Sequence, residues 1–166
     1  RLWDVRIEAE ELAGLALDLG SDAPACVASV TQMVTGRGER LRPHPVEGLD
    51  GMAMLLVNPG VGVSTAQVFN GWDRVDRGPL DATSLETLVA QGRNDLEAPA
   101  IAAAPVIAQL LGALEGHDGL VLARMSGSGA TCFALFDSDG AMADAAMAVQ
   151  AAHRDWWIME TRIRTA

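Results

Sequence analysis

The chain has 166 residues, of which 49% are hydrophobic, so it can bury one sizeable core or two small ones. Its formal net charge of −10 argues against DNA or RNA as a partner, because nucleic-acid affinity comes mostly from Lys and Arg. A phosphorylated small molecule is not excluded, since backbone N–H groups and one Mg²⁺ ion can offset phosphate charge locally.

The two cysteines, Cys26 and Cys132, form neither a CxxC pair nor part of a His-rich cluster. Neither a disulfide framework nor a zinc site is therefore indicated, and a reducing cytoplasm is the expected compartment. The most apolar window, 98–114, is interrupted by Pro99 and Pro105, which favours a soluble helix over a membrane span. The sequence makes no prediction of oligomeric state.

The first predicted element is a helix that ends at Gly20. Its apolar residues recur at i, i+3, i+4 and i+7, the spacing of one helical stripe: Leu12, Leu15, Ala16 and Leu19. Residues 29–46 predict two strands around Gly36-Arg37-Gly38, since glycine permits the positive φ of a tight turn. A lone helix and hairpin would expose apolar faces, so we expect residues 1–46 to be the tail of a preceding domain.

The second part of the chain predicts a different architecture. Strands are expected at 52–57, 120–125, 131–136 and 157–163, and helices at 85–91, 99–114 and 140–152. The segment after Pro59 reads as an Asp-rich loop. This order predicts an α+β domain over residues 47–166, in which helices cover one face of an antiparallel sheet.

Four segments together carry a family resemblance. They are Leu19-Gly20-Ser21-Asp22-Ala23-Pro24, Asn58-Pro59-Gly60-Val61-Gly62-Val63-Ser64-Thr65, Asn94-Asp95-Leu96-Glu97 and Arg124-Met125-Ser126-Gly127-Ser128-Gly129-Ala130. In this order the chain resembles the 4-diphosphocytidyl-2-C-methyl-D-erythritol kinases of the GHMP superfamily, named for galactokinase, homoserine kinase, mevalonate kinase and phosphomevalonate kinase. The resemblance implies the end of the N-terminal kinase domain at 1–46 and the GHMP C-terminal domain at 47–166.

The implied reaction is ATP-dependent transfer of the γ-phosphoryl group to the 2-hydroxyl of the cytidyl-linked methylerythritol, in the non-mevalonate route to isoprenoids. Such a transfer needs an aligned hydroxyl, a group that accepts or directs its proton, and N–H or positive groups around the phosphate. The resemblance implies Asp22 for the proton, as a true base or as an orienting group. Asp22 could instead only cap a turn before Pro24. ATP and Mg²⁺ are implied as cofactors by the family.

The substrate-binding residues are also implied by the resemblance. Phe69 would stack on cytosine and Thr65 would help to fix the base edge, while Gly36 and Arg37 align with a segment that lines the cytidine pocket. Core packing remains the ordinary alternative for Phe69, and Arg37 could simply be solvated. Ala66 stands where the family often has proline, so the rigidity of this side of the predicted cytosine pocket stays open.

The loop Ser126-Gly127-Ser128-Gly129 is expected to lie near phosphate, with a tight connection between two strands as the alternative. Asn94 and Asp95 are good helix-capping residues, so we expect them to cap the helix that begins near Pro99 and leave them out of the catalytic set.

The family's N-terminal lysine, its Tyr-His pair and its glycine-rich ATP loop have no counterpart in these residues. The chain opens with Arg1 rather than Met, so we expect a fragment that is inactive alone. Two alternatives stay open. One is another kinase of the superfamily, which would share Asp22 and the Ser-Gly loop but not a stacking Phe69, and the other is a truncated, non-catalytic binding module.

Overall fold

The computed structural model of the protein describes residues 6–164, and these fall into two compact units. Unit 1 comprises residues 6–50 with Arg164, and unit 2 spans Gly51–Ile163. The predicted domain boundary after residue 46 rests on the change in element pattern and on the family resemblance, and it stays a prediction.

Unit 1 contains two helices and a hairpin. These are α1 (Ala9–Leu19), α2 (Ala23–Ala28), β1 (Gln32–Thr35) and β2 (Arg40–Pro43), with the two strands antiparallel. Helix α1 ends before Gly20 and the hairpin turns at residues 36–39, as the sequence predicts. Helix α2 was not expected from the sequence. Its Pro24 lies in the first turn, where a missing N–H breaks no helical hydrogen bond.

Unit 2 is built on a four-stranded antiparallel sheet. Its strands are β3 (Ala53–Asn58), β4 (Leu120–Met125), β5 (Cys132–Phe136) and β6 (Trp157–Arg162), in the order β4-β5-β3-β6. Its helices are α3 (Thr65–Gly71), α4 (Leu85–Gln91), α5 (Glu97–Ala103), α6 (Val106–Leu114) and α7 (Asp139–Ala152). The predicted α+β architecture is confirmed.

One face of this sheet forms the core. Strand side chains alternate between faces, so Leu55, Ala134 and Phe136 point to the same side and are buried there. Helices α6 and α7 cover them with a set of fully or nearly fully buried residues: Ile107, Leu110, Leu114, Met142, Ala145 and Val149. The apolar faces of these helices and strands thus pack together into one continuous core.

Two predicted elements differ from the structure. The single helix expected over 99–114 is wrong, because the chain leaves helical geometry at Ala104, whose φ is −144° and ψ is 87°. Pro105 causes the break, since a proline disfavours helical geometry in the residue before it and lacks an N–H. Helix α3 lies in the segment predicted to be a loop, and it begins where the Ser64 hydroxyl accepts the Gln67 N–H at 3.3 Å.

None of the helices in residues 6–164 has the length and apolar character that crossing a bilayer requires.

Candidate functional site

The segment after β3 is held in place by Asn58. Its Oδ1 accepts the Gly60 N–H at 2.8 Å, and its Nδ2 donates to Thr131 Oγ1 at 2.8 Å. Gly60 has a φ of +74°, which an L residue adopts only with strain. Asn58 therefore ties the end of β3 to the residue just before β5 and sets where the following helix begins.

Helix α3 displays the two predicted substrate-binding residues of this unit. Thr65 is its first residue and Phe69 follows one turn later on the same face. The neighbouring Val68 is fully buried, whereas the Phe69 side chain is 52% exposed. Phe69 is therefore not a core residue, which removes the ordinary alternative for it, while its stacking on cytosine stays a prediction.

The Ser126–Gly129 loop is a tight turn between β4 and β5. The Gly129 N–H donates to Ser126 O at 3.0 Å, and φ is +55° at Gly127 and +87° at Gly129. The N–H groups of Gly127 and Ser128 donate to no other residue in the described part of the chain. The tight-connection alternative is thus present in the structure, and it leaves two backbone donors available to an anion.

Thr65 and the loop are in contact. The Thr65 and Ser128 hydroxyl oxygens lie 3.0 Å apart and share a hydrogen bond, although 63 residues separate them in sequence. The structure therefore brings one predicted substrate-binding residue and the predicted phosphate-proximal loop together in unit 2. Nothing in the local sequence of either segment indicates this pairing.

Asn94 has a larger role than the sequence indicated. Its Nδ2 donates to Gly127 O in the loop at 2.8 Å and to Met125 O, at the end of β4, at 3.0 Å. Its Oδ1 accepts the Leu96 N–H at 3.0 Å, whereas α5 itself begins at Glu97 without a side-chain cap. Asn94 thus caps only a turn before α5, not the helix itself, and its side chain mainly holds the Ser126–Gly129 loop.

A cleft of about 380 Å³ opens beside this loop, with Leu88, Leu122 and Phe133 among its apolar walls. Arg124 also lines it, half-buried, and donates to Ala123 O at 2.8 Å and to Gly92 O at 3.4 Å. No carboxylate among the described residues lies within 4.0 Å of this guanidinium. Arg124 was not predicted as a site residue, yet it lines the same cleft as Ser126 and Gly127.

Charged side chains connect the loop after α3 to the segment that carries Asn94. Asp95 lies 3.6 Å from Arg77 and 3.2 Å from Arg93, and Arg93 also donates to Gly78 O at 2.8 Å. Arg77 pairs with Asp73 at 2.5 Å, and this hydrogen bond is the main cause that lowers the pKa of Asp73. Exposed pairs of this kind are screened by solvent and contribute little to stability, so their effect is to order the loop rather than to stabilise the fold.

In unit 1, Asp22 is exposed and occupies the position just before α2. Its side chain makes no capping hydrogen bond to that helix. The turn-capping alternative is therefore not what the structure shows, and the carboxylate is open to solvent. Its catalytic role stays a prediction.

The hairpin turn packs against the residue before Asp22. Gly38 has a φ of +108°, and a Cβ added to it would lie 1.9 Å from Ser21 O. Only glycine allows this approach, which places the Gly36-Arg37 turn beside the Asp22 loop within unit 1. The predicted substrate role of Gly36 and Arg37 stays a prediction.

Arg37 has an exposed side chain, but its backbone is restrained. Its N–H donates to Glu39 Oε2 at 2.5 Å. The hydrogen bond from the backbone N–H of Glu39 itself, followed by that from Arg37, holds the pKa of the Glu39 carboxyl below its ordinary value. The turn is therefore ordered by a charged acceptor at its base.

Within residues 6–164, no group of three or more His, Cys, Asp or Glu side chains is arranged to hold a metal ion. The described residues therefore do not fit a metal site made of protein ligands alone. Mg²⁺ stays a prediction that comes from ATP.

Comparison with known proteins places these features in a family. Residues 80–155 match the model described as GHMP kinases C terminal. The chain is 45% identical, over 99% of its length, to a protein of Rhizorhabdus wittichii named 4-diphosphocytidyl-2-C-methyl-D-erythritol kinase, and covers 56% of that protein. A protein of the same name from Sphingopyxis alaskensis is 51% identical over 92% of this chain, which covers 54% of it. The chain thus spans little more than half of these curated relatives.

Solved structures agree on the fold. A crystal structure of 4-(cytidine 5'-diphospho)-2C-methyl-D-erythritol kinase matches 96% of this chain, with a TM-score of 0.73 and 28% identity, and 59% of that chain is covered. A homoserine kinase from Cytophaga hutchinsonii matches 95% of this chain with a TM-score of 0.74, again with 59% of that chain covered. At 16% identity the second likeness shows the fold alone.

Proposed function

Because this chain belongs to the GHMP kinase family and carries its C-terminal domain, we propose that the full-length protein phosphorylates the 2-hydroxyl of 4-diphosphocytidyl-2-C-methyl-D-erythritol with ATP. The observation that carries the proposal is the 45% identity over 99% of the chain to a relative of that name. The product would serve the non-mevalonate route to isoprenoids. A cytoplasmic location and a small-molecule substrate follow from this proposal.

Helix α3 supports the substrate part of the proposal. An exposed ring at Phe69 can stack on cytosine, since a base offers a π-face of similar size. Thr65, one turn away, has a hydroxyl that already bonds to Ser128 and can also bond to the base edge. Helix α3, which would contact cytosine, and the Ser126–Gly129 loop would then be joined by the Thr65–Ser128 hydrogen bond.

The Ser126–Gly129 loop supports the phosphoryl-transfer part. ATP would supply the γ-phosphoryl group as a Mg²⁺ complex, and the free N–H groups of Gly127 and Ser128 fit a phosphate oxygen. Donors that are already oriented stabilise charge that develops on such an oxygen without further reorganisation. The described residues thus offer part of a phosphate site, and the rest is expected upstream in the full-length protein.

Asp22 is proposed to accept or orient the proton of the 2-hydroxyl. Its exposed carboxylate is not engaged in capping α2, so it is available for this task. In the full-length protein, Asp22→Asn should lower kcat by about 10² or more, with wild-type folding. Asp18→Asn, which removes the same charge from an exposed position on α1, should leave kcat near wild type. A near-normal kcat for Asp22→Asn would remove Asp22 from the mechanism.

The role of Phe69 can be used to distinguish this function from that of another GHMP kinase. If it stacks on cytosine, CMP should compete with the cytidyl substrate, and Phe69→Ala should raise KM and weaken CMP inhibition together. Val75→Ala, at another half-exposed apolar residue, should change neither. If CMP inhibited Phe69→Ala as strongly as the wild type, the result would favour the substrate of another GHMP kinase.

Residues 1–166 alone are expected to show no ATP-dependent phosphorylation of the cytidyl substrate, because the chain covers 56% of its relative and lacks the family's glycine-rich ATP loop. A non-catalytic binding module is the alternative. It would be favoured if the full-length protein bound the cytidyl compound without turning it over.

A further inference from the structure

We infer that Asn94 is a positioning residue that aims the Ser128 N–H at the phosphoryl group. This inference rests on the proposed function, since it assigns the loop donor to a phosphate oxygen. The observation behind it is independent of that function: the Asn94 amide binds Gly127 O of the loop at 2.8 Å and Met125 O, just before the loop, at 3.0 Å.

The loop needs such a restraint from outside. Gly127 has a φ of +55°, and nothing would lie within 4 Å of a Cβ added there, so no packing holds this residue. Glycine adopts positive and negative φ about equally, and the loop contains two glycines. Its other hydrogen bonds are Ser126 N–H to Thr131 O at 2.9 Å, Gly129 N–H to Ser126 O at 3.0 Å and the Thr65–Ser128 hydroxyl pair, and none of them engages the Gly127–Ser128 peptide.

The geometry of the peptide bond turns this restraint into an orientation. The Gly127 carbonyl and the Ser128 N–H belong to one planar trans peptide, so they point in opposite directions. When Asn94 Nδ2 binds Gly127 O at 2.8 Å, it fixes that plane and directs the Ser128 N–H away from Asn94. The second bond, to Met125 O, fixes the peptide that leads into the loop.

Asn94 is itself held firmly. Its Oδ1 accepts the Leu96 N–H at 3.0 Å, and its own carbonyl accepts the Glu97 N–H at 3.0 Å. Its neighbours Arg93 and Asp95 form the ion pairs and hydrogen bonds that order the loop after α3. Both polar atoms of its side chain, Oδ1 and Nδ2, therefore have partners, and the amide cannot rotate without losing at least two hydrogen bonds.

The two ends of the Asn94 side chain can be separated by substitution. Asn94→Asp keeps an acceptor for the Leu96 N–H but replaces the donors with an oxygen that faces two carbonyls. Asn94→Ala removes both interactions. If positioning matters, both variants of the full-length enzyme should lose about tenfold or more in kcat, with KM for the cytidyl substrate within about threefold of wild type. Asn70→Asp, the same change at an exposed position on α3, should leave kcat unchanged.

Amide hydrogen exchange of the same full-length variants tests the positioning without any turnover. The Gly129 and Ser126 amides, which donate to Ser126 O and Thr131 O, should exchange faster in Asn94→Asp and Asn94→Ala than in wild type, while amides of β3 and β5 stay protected. Wild-type kcat in Asn94→Asp, or unchanged exchange at Gly129 in both variants, would overturn the inference. If the wild-type enzyme does not phosphorylate the cytidyl substrate, the proposed function fails, and exchange at Gly129 alone decides whether Asn94 holds the loop. Should Asn94→Asp not fold, Asn94→Ala carries both measurements.

Discussion

The two units of this molecule differ in how far their large apolar residues are buried. In unit 2, the large side chains Leu55, Ile107 and Phe136 are at most 1% exposed and form one continuous core. In unit 1, the leucines of α1 lie largely open, and Leu19 is 87% exposed. The same helical periodicity therefore produces a completed core in one unit and an uncovered stripe in the other.

This contrast shows that an apolar pattern predicts a helix face but not what covers it. Leu12 and Leu15 of the same stripe are also exposed, as are three apolar residues elsewhere in the unit: Ile7, Val27 and Val34. Exposed apolar surface on this scale is typical of an interface rather than of a finished domain. It supports the hypothesis that residues 1–46 pack against a further part of a longer protein.

The largest effect should come from truncating the unit 2 core. Phe136→Ala should lower the free energy of unfolding of the 166-residue chain by about 3–5 kcal/mol, because it removes a fully buried ring and leaves a cavity. Leu19→Ala should change it by about 0.5 kcal/mol or less, since its side chain is already in water. Denaturant unfolding followed by tryptophan fluorescence reports mainly on unit 2, which holds three of the four tryptophans, and circular dichroism reports on both units.

The full-length protein sharpens this test. If an upstream segment covers α1, Leu19→Ala should cost clearly more there than in the 166-residue chain. Equal and negligible costs in both proteins would contradict the idea that the stripe is an internal interface.

The sequence predicted the elements whose signals are local. The helix stripe that ends at Gly20, the glycine turn at residues 36–38 and the strands of unit 2 each follow from a period or a turn residue within a short window. Ser64 was the available signal for α3, but a seven-residue helix offers too few periodic positions for a cap alone to be decisive. Pro105 was equally visible, and the apolar stripe of 107–114 masked its effect.

The site was predictable only in part, for a physical reason. The family motif picked out Thr65 and Ser128 one by one, yet their hydrogen bond joins segments 63 residues apart. The Asn94 amide reaches Gly127 O across 33 residues, and no property of an Asn-Asp pair distinguishes this from a helix cap. Long-range side-chain pairing depends on the packed fold, which a local pattern does not contain.

The next largest effect concerns a pair of glycines in unit 1. Gly38→Ala should cost about 2–3 kcal/mol or more, because its Cβ would lie 1.9 Å from the Ser21 backbone oxygen at a φ of +108°. Gly36→Ala should cost less, about 1–2 kcal/mol, since its φ of +73° is strained and the added Cβ meets only the Glu39 carboxylate, which can rotate away with loss of its hydrogen bond from the Arg37 N–H. Unfolding free energies of the two variants check this order.

Activity of the full-length protein extends the same comparison. Gly38→Ala should also lower kcat, since it displaces Ser21, the residue before Asp22, whereas Gly36→Ala should affect kcat less. Equal losses of stability and of kcat in the two variants would show that the turn does not set the position of the Asp22 loop.

The smallest effect uses the two cysteines, one in each unit. Cys26 is exposed on α2, whereas Cys132 is fully buried in the unit 2 core, where desolvation is the main cause that raises its thiol pKa to about 12. The thiolate is the reactive form, so at about pH 8 an alkylating reagent should label Cys26 alone in the native chain and both residues in denaturant. Mass spectrometry of peptides reads out each site.

Cys26→Ser is the matched control and should abolish native labelling. The rate at Cys132 then measures how often the core opens, because a protonated, buried thiol reacts only after exposure. Labelling of Cys132 at a rate close to that of Cys26 would mean that the unit 2 core opens readily, and the contrast between a finished and an uncovered unit would not hold in solution. Slow labelling that accelerates in Phe136→Ala would tie the protection of Cys132 directly to the packing of that core.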